Sequence, residues 1–160
     1  MPRYNFFPKR CGYTPSYLLA SIAVLLMSAF LFHACDTTDP DNTSENEIRA
    51  AIYQITRDFN WNDVDGIMDL VHMDYLHKGM YRNQLQQLWL DRRALYTNLE
   101  TTIWSVNINS DRATVNMRMT FSGPGVPTLI LDEPQSSGDA SFFFQDGQSW
   151  VLYGDQGWGK

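Results

Sequence analysis

The sequence predicts an α+β domain in which three N-terminal helices pack on one face of a curved antiparallel sheet. Two observations predict this fold class. Apolar residues recur at helical spacing from about residue 44 to residue 96, and they alternate with polar residues from about residue 104 onward. Because all the helices precede the strands, this organisation is favoured over one in which helices and strands alternate.

The first helix is predicted to begin at Ser44. Ser44 and Glu47 have the spacing of a capping box, in which each side chain bonds a backbone N–H of the first turn. Four large apolar residues then fall on one side of the helix, namely Ile48, Ile52, Ile55 and Phe59. This stripe is predicted to face the core.

Two shorter helices are predicted to follow. Asn62 or Asp63 caps the second helix. Its inward residues are Val64, Ile67, Leu70 and Val71. The third helix begins at Asn83. Its inward residues are Leu85, Leu88, Trp89 and Tyr96. The adjacent Arg92 and Arg93 are assigned to its solvent-facing side.

The second half of the chain is predicted to contain two antiparallel hairpins. In the first, a turn at residues 109–111 joins a strand that begins near Trp104 to one that ends at Phe121, and alternation places Trp104 inward. In the second, Asp146 and Gly147 join strands 140–144 and 149–153.

A connection rich in proline and glycine links the two hairpins. It spans residues 122–138 and is predicted to contain a short strand at residues 128–131.

Residues 1–34 have the organisation of an export signal. Basic residues occur only near its start, and residues 17–32 contain no charge. This apolar run is short for a membrane-spanning helix, which needs about 20 residues. Residues 32–35, Phe-His-Ala-Cys, resemble the lipobox of bacterial lipoproteins, whose cysteine becomes the lipidated N-terminus of the mature chain. The resemblance implies that Cys35 carries lipid.

An uncleaved signal anchor is the alternative, with Cys35 as an unmodified thiol beside the membrane. Both interpretations hold the protein in the cell envelope outside the cytoplasm, at the inner or the outer membrane. Residues 35–43 are predicted to form a polar tether, and residues 44–160 the folded domain.

Charge argues against a nucleic-acid partner. The chain has 18 Asp and Glu, all after residue 35, and 12 Lys and Arg, three of which lie in the first ten residues. Segment 35–160 therefore carries a net charge of −9. Nucleic-acid binding needs a basic face that neutralises phosphates.

Residues 45–153 resemble the nuclear transport factor 2-like superfamily, which includes SnoaL-like cyclases and ketosteroid isomerases. The resemblance rests on the amphipathic first helix, the step at residues 60–67, the segment 75–79 and the closing strand at residues 146–152. It implies a cone-shaped domain with an apolar pocket open at one end, and relatives that often form homodimers through the sheet. It identifies no catalytic residue by motif.

The acidic and histidine residues in the middle of the chain do not form a recognisable metal site. Asp63 and Asp65 fall in the first turn of a predicted helix, where carboxylates cap N–H groups. His72 and His77 are five residues apart, which is not the spacing of a helical metal-binding pair. No metal and no cofactor is therefore predicted. His77 beside Tyr75 is the weak catalytic candidate, as a polar pair at the cone mouth that could relay protons.

Seven residues are predicted to line a ligand pocket in the cone. They are Tyr75, His77, Trp89, Trp104, Met119, Phe142 and Trp150. Apolar walls with a few polar groups are typical of small-molecule sites, but the same aromatic residues could form only the core.

Three functions remain open. The leading hypothesis is a non-catalytic module, tethered through lipid on Cys35, that binds a small apolar ligand or a protein partner. The second is an isomerase, cyclase or dehydratase with an acid–base residue in the cone. The third is a structural envelope module that forms a dimer through its sheet.

Overall fold

The computed structural model of the protein describes residues 40–157, with side chains from residue 42 onward. The predicted signal, the lipidation site at Cys35 and tether residues 36–39 lie outside the described residues. Within residues 40–157, no helix is both long enough and apolar enough to cross a membrane.

Helix α1 is longer than predicted and spans Pro40–Asn60. The predicted start at Ser44 is therefore wrong by four residues, and residues 40–43, which we assigned to the tether, are helical. Proline is favourable in the first turn of a helix because the N–H that it lacks would have no partner there. The predicted stripe is confirmed, since Ile48, Ile52, Ile55 and Phe59 are completely buried.

The next segment contains one short helix and a small two-stranded hairpin before the third helix. Helix α2 spans Val64–Asp69, and its predicted cap is Asp63, whose carboxylate accepts from the Gly66 N–H at 2.9 Å. Strands β1 (Leu76–His77) and β2 (Met80–Tyr81) form a small hairpin. Sequence analysis did not predict this hairpin.

Helix α3 spans Arg82–Leu95 and begins one residue before the predicted start. Its inward face includes the predicted Leu85 and Trp89, both completely buried. The assignment of Arg92 to the solvent-facing side is wrong, because this residue is only 7% exposed. Arg92 lies three residues after Trp89 and seven after Leu85, so helical spacing places it on the buried stripe.

The five-stranded antiparallel sheet follows. Its strands are β3 (Asn98–Asn109), β4 (Arg112–Ser122), β5 (Leu129–Glu133), β6 (Phe142–Asp146) and β7 (Ser149–Leu152). Strand β4 is central, since it pairs with β3 along one side and with both β5 and β6 along the other. Strand β7 then pairs with β6, as the second predicted hairpin requires.

A bulge in β3 overturns the predicted orientation of Trp104. Ile103 pairs with Met117 and Ser105 pairs with Asn116, so Trp104 has no partner in β4. A bulge of this kind shifts the side-chain alternation by one residue. Trp104 is consequently on the outer face, 52% exposed, with the Arg118 guanidinium 5.6 Å from its ring centre.

The core lies between the three helices and the inner face of the sheet. Every second residue of β4 is buried there, namely Ala113, Val115, Met117, Met119 and Phe121. These side chains pack with the buried faces of α1, α2 and α3 in a single apolar cluster. The result is the predicted arrangement of helices on one face of a curved sheet.

Candidate functional site

The seven predicted pocket residues do not share one cavity. Trp89 and Met119 are completely buried in the core, and Trp104 is on the outer face. Tyr75 lines one surface groove, and Trp150 lines a different, smaller cavity of about 280 Å³. His77 is also buried, at 2% exposure, rather than at a solvated mouth, and it stacks on Phe142 with ring centres 5.5 Å apart.

Aromatic rings occupy the space between α1, α3 and β4. The Phe59 ring meets those of Trp89 and Phe121 edge-on, with centres 5.9 and 5.2 Å apart. The Arg92 guanidinium lies 5.2 Å from the ring centres of both Trp89 and Phe121. Cation–π contacts of this kind stabilise a guanidinium that is buried away from solvent.

A buried ionic cluster lies beside these rings and consists of Arg92, Glu133, Ser137 and Asp139. Arg92 donates to both carboxylate oxygens of Asp139, at 2.6 and 3.4 Å. The Ser137 hydroxyl also contacts the Asp139 carboxylate. Glu133 is completely buried and accepts from the backbone N–H groups of Ser137 and Gly138. Each carboxylate is therefore compensated within the protein, as buried charges require.

Tyr75 is attached to this cluster as a hydrogen-bond donor. Its hydroxyl donates to the Asp139 carbonyl oxygen at 2.9 Å. Burial raises the pKa of the Tyr75 phenol far above its usual value, the negative charges of Asp139, Asp155 and Glu133 raise it further, and Arg92 partly opposes them. The phenol therefore stays protonated at physiological pH, which favours a structural role over proton transfer.

His77 connects the cluster to the C-terminal segment. Its Nε2 atom lies 2.6 Å from the Ser137 carbonyl oxygen. Its Nδ1 atom lies 3.4 Å from a carboxylate oxygen of Asp155, although the two are not aligned as a hydrogen bond. Both ring nitrogens thus face oxygen atoms of the protein, which leaves neither of them directed at a substrate.

Residues 153–157, the C-terminal strap, lie along β1. The Leu76 carbonyl accepts from the Gln156 N–H at 3.0 Å, and the Leu76 N–H donates to the Tyr153 carbonyl at 3.1 Å. Partial burial would raise the pKa of the Asp155 carboxyl. The backbone N–H groups of Gly157 and Lys78 and the charges of His77 and Lys78 outweigh burial and hold that pKa below its usual value.

An open groove of about 500 Å³ lies between β1, the strap and the start of α3. Its lining residues are Met73, Asp74, Tyr75, Leu76, Tyr81, Arg82, Asn83, Gln86 and Gln156. Two of its polar side chains are fixed by carbonyl groups. Arg82 donates to the Met68 carbonyl at 2.8 Å, and the Gln156 side chain donates to the carbonyls of Asp74 and Tyr153 at 3.0 and 2.8 Å.

Two other titratable residues considered in the sequence, His72 and Asp65, have partners within the protein. His72 contacts the rings of Phe144 and Tyr153, and Asp65 accepts from the Gln86 side chain at 3.2 Å. Among the described residues, no group of three or more His, Cys, Asp and Glu side chains is placed to hold a metal ion.

Sequence reasoning missed the ionic cluster and the strap. Arg92 could have been found from its place on the helical stripe of α3. Glu133 and Asp139 carry no such signal, because they lie in and after an irregular connection and meet Arg92 only through the fold.

Comparison with known proteins identifies the fold. No family model and no curated protein matches the sequence. An NTF-2 like protein of unknown function from Shewanella oneidensis has a TM-score of 0.51 at 13% identity, over 68% of this chain and 93% of that one. A ketosteroid isomerase-like protein from Erwinia carotovora atroseptica has a TM-score of 0.51 at 16% identity, over 71% of this chain and 93% of that one.

A larger protein also contains the same arrangement. Bdellovibrio bacteriovorus Bd1075 has a TM-score of 0.50 at 5% identity over 68% of this chain, and the chain spans only 38% of its length. At these identities the likeness concerns the backbone and not the chemistry of a site. The helices packed on a curved antiparallel sheet, together with these matches, show that the chain has the nuclear transport factor 2-like fold.

Proposed function

We propose that this protein is a non-catalytic binding module, held at the cell envelope by lipid on Cys35, whose groove takes a peptide-like ligand. The observation that supports the proposal is the division between interior and groove. Aromatic rings and a compensated ionic cluster occupy the space between α1, α3 and β4, while an open groove lined by both polar and apolar side chains lies outside it.

The groove lining favours a ligand that has both amide groups and apolar side chains. Asn83 and Gln86 contribute carboxamides that can donate and accept a hydrogen bond as a peptide group does. The Gln156 carboxamide uses its N–H groups on two backbone carbonyls and offers its oxygen as an acceptor. Met73 and Tyr81 add apolar surface and are 76% and 47% exposed. A flat apolar molecule would leave the polar groups of this lining unpaired, at a cost in affinity.

The geometry also argues against catalysis by the two sequence candidates. The Tyr75 hydroxyl is engaged by Asp139, and both His77 ring nitrogens face protein oxygens. A general acid or base must come within hydrogen-bond reach of its substrate. Either residue would have to leave its present contacts to do so.

The proposed ligand class is tested by native mass spectrometry of the full chain purified from membranes. The bound molecule is then extracted and identified. We expect a bound peptide-like molecule of defined mass, and we expect the variant Met73→Glu to lose it. Tyr53→Glu is the matched control, since Tyr53 is 53% exposed on α1 outside the groove lining. Extraction of a purely apolar molecule, or a ligand-free mass for the unmodified chain, would contradict the proposed ligand class.

Lipid attachment is tested by replacing each of the two cysteines of the chain in turn. Cys35→Ser should abolish labelling with radioactive palmitate and release the protein from membranes, whereas Cys11→Ser should leave both unchanged. Membrane retention of Cys35→Ser without label would instead indicate an uncleaved signal anchor.

The outer face of the sheet supports a second role, self-association. Trp104 on β3 and Ile130 on β5, the strands on either side of β4, are 52% and 53% exposed and give this face apolar surface. We propose that this face forms a homodimer. Light scattering should then report a dimer for the unmodified chain and a monomer for Ile130→Asp.

A further inference from the structure

We propose that the free edge of β3 is a docking site for an extended segment of a partner protein, which adds to the sheet as a further strand. Within the described residues, β3 pairs only with β4 and therefore lies at an edge of the sheet. An edge strand presents unpaired backbone N–H and C=O groups that another strand can bind. This surface is separate from the groove of the proposed function.

One end of this edge is already bound by a side chain that imitates a strand. The Leu99 N–H donates to the Asn60 side-chain oxygen at 2.7 Å, and the Asn60 side-chain nitrogen donates to the Leu99 carbonyl at 3.0 Å. A carboxamide that both donates and accepts makes the same two bonds as a peptide of a neighbouring strand. Asn60 thus shows that the edge is geometrically able to pair.

Beyond Asn60, no other side chain within residues 42–157 bonds both backbone groups of a residue on this edge. Helix α1 also contacts this strand at Thr101, whose hydroxyl lies 2.8 Å from that of Thr56. Every second residue of a strand directs its backbone N–H and C=O groups to the same side. Those of Leu99 point away from β4, and after the bulge those of Val106 and Ile108 do so as well. The side chains of Val106 and Ile108, together with that of Ile103, are only partly buried beside this edge.

The sequence of β3 lacks most of the devices that protect an edge from pairing. Natural edge strands often carry lysine or proline to prevent pairing. Residues 98–109 contain neither Lys, Arg nor Pro, and Glu100 is their single charge. The bulge at Trp104 limits pairing to the segment 105–109, which ends at the hairpin turn.

Charge and apolarity define the occupant. A strand with apolar residues at every second position would cover the half-buried Val106 and Ile108. Segment 35–160 carries a net charge of −9, which favours a segment that carries lysine or arginine over an acidic one. The inferred occupant is therefore a short, basic, alternating apolar strand of another protein.

The test uses the full chain and a capped peptide with the sequence Lys-Thr-Val-Thr-Val-Thr-Lys. At millimolar peptide, we expect amide hydrogen exchange at Val106 and Ile108 to slow at least tenfold, with no change at the already bonded Leu99. The same peptide N-methylated on its five central residues keeps the side chains but lacks the N–H donors, and it should give no protection.

A protein variant provides a second readout. Ile108→Lys places a charge beside the edge and should weaken peptide binding at least tenfold, whereas Leu90→Lys on α3, where Leu90 is 45% exposed, should not. Exchange at Val106 and Ile108 that the peptide leaves unchanged would overturn the proposal. So would protection of these amides that depends on protein concentration alone, because that result would assign the edge to a second copy.

Discussion

The apolar core and the buried ionic cluster are adjacent, yet they depend on different physics. The core of Ile52, Trp89 and Met119 is stabilised by non-directional burial, which tolerates replacement by side chains of similar volume. The cluster of Arg92, Glu133, Ser137 and Asp139 depends on each charge meeting its own partner at short range. We therefore expect small changes to be mild in the core and severe in the cluster.

The largest effect is expected from Arg92→Met. The variant keeps much of the apolar side chain but leaves the Asp139 carboxylate, in a side chain only 1% exposed, without its cation. Removing one partner of a buried pair costs about 3–5 kcal/mol of unfolding free energy. Urea unfolding would measure the loss.

Two further variants sharpen this first prediction. The double variant Arg92→Met, Asp139→Leu should recover part of the lost stability, because no unpaired charge remains. Arg118→Met should change stability little, since its pair with Asp132 is exposed. Equal losses for Arg92→Met and Arg118→Met would remove the distinction between the buried and the exposed ion pair.

An intermediate effect is expected from Gly138→Ala at the edge of the cluster. Gly138 has φ of +78°, and a Cβ there would lie 2.8 Å from Cε1 of the His77 ring. Gly125→Ala is the matched control, because Gly125 has φ of +76° with no atom within 4 Å of the added Cβ. Both variants should lose about 1–2 kcal/mol to the left-handed backbone, and Gly138→Ala should lose more because of the contact. Thermal unfolding measures the loss of stability in each variant. Equal losses would mean that the His77 ring shifts to make room for the added Cβ.

A smaller effect is expected in the core from Ile52→Val. Ile52 is completely buried on the α1 stripe. Deletion of one methylene there should cost about 0.5–1.5 kcal/mol of unfolding free energy. A loss as large as that of Arg92→Met, measured by the same urea titration, would show that the core is as intolerant as the cluster.

The smallest effect is expected in the pH dependence of the stability of the C-terminal strap. Since the pKa of Asp155 is held below its usual value in the folded protein, its carboxylate contributes stability above the unfolded pKa of about 3.9. That contribution is lost as the pH falls through the lower folded value. The protection factor of the Gln156 amide against hydrogen exchange should therefore fall in acid, and Asp155→Asn should show a reduced protection factor at neutral pH already. Identical pH profiles for the two proteins would contradict this role.

The contrast also explains what sequence reasoning could predict. Burial at regular intervals is visible in the spacing of Ile48, Ile52 and Ile55. The three helices and the two hairpins of the five-stranded sheet follow from such spacing, whereas the small β1–β2 hairpin does not. A bulge does not appear in this spacing, so the inward placement of Trp104 failed.

The candidate site was predicted less well than the fold. Tyr75, predicted for the cone pocket, lines the surface groove instead. The ionic cluster joins Arg92 to Asp139 across 47 positions of sequence. Nothing local to either residue specifies that contact. Polar clusters of this kind become visible only when the topology brings their segments together.

The early start of α1 at Pro40 has a consequence for where the protein can act. Only residues 36–39 separate the helix from Cys35, and an extended chain advances at most about 3.6 Å per residue. If Cys35 carries the lipid, the first residue of α1, Pro40, lies within about 18 Å of the lipidated residue. The domain would then search for its partners by diffusion in the plane of the membrane, and it would meet only molecules that are themselves at that surface.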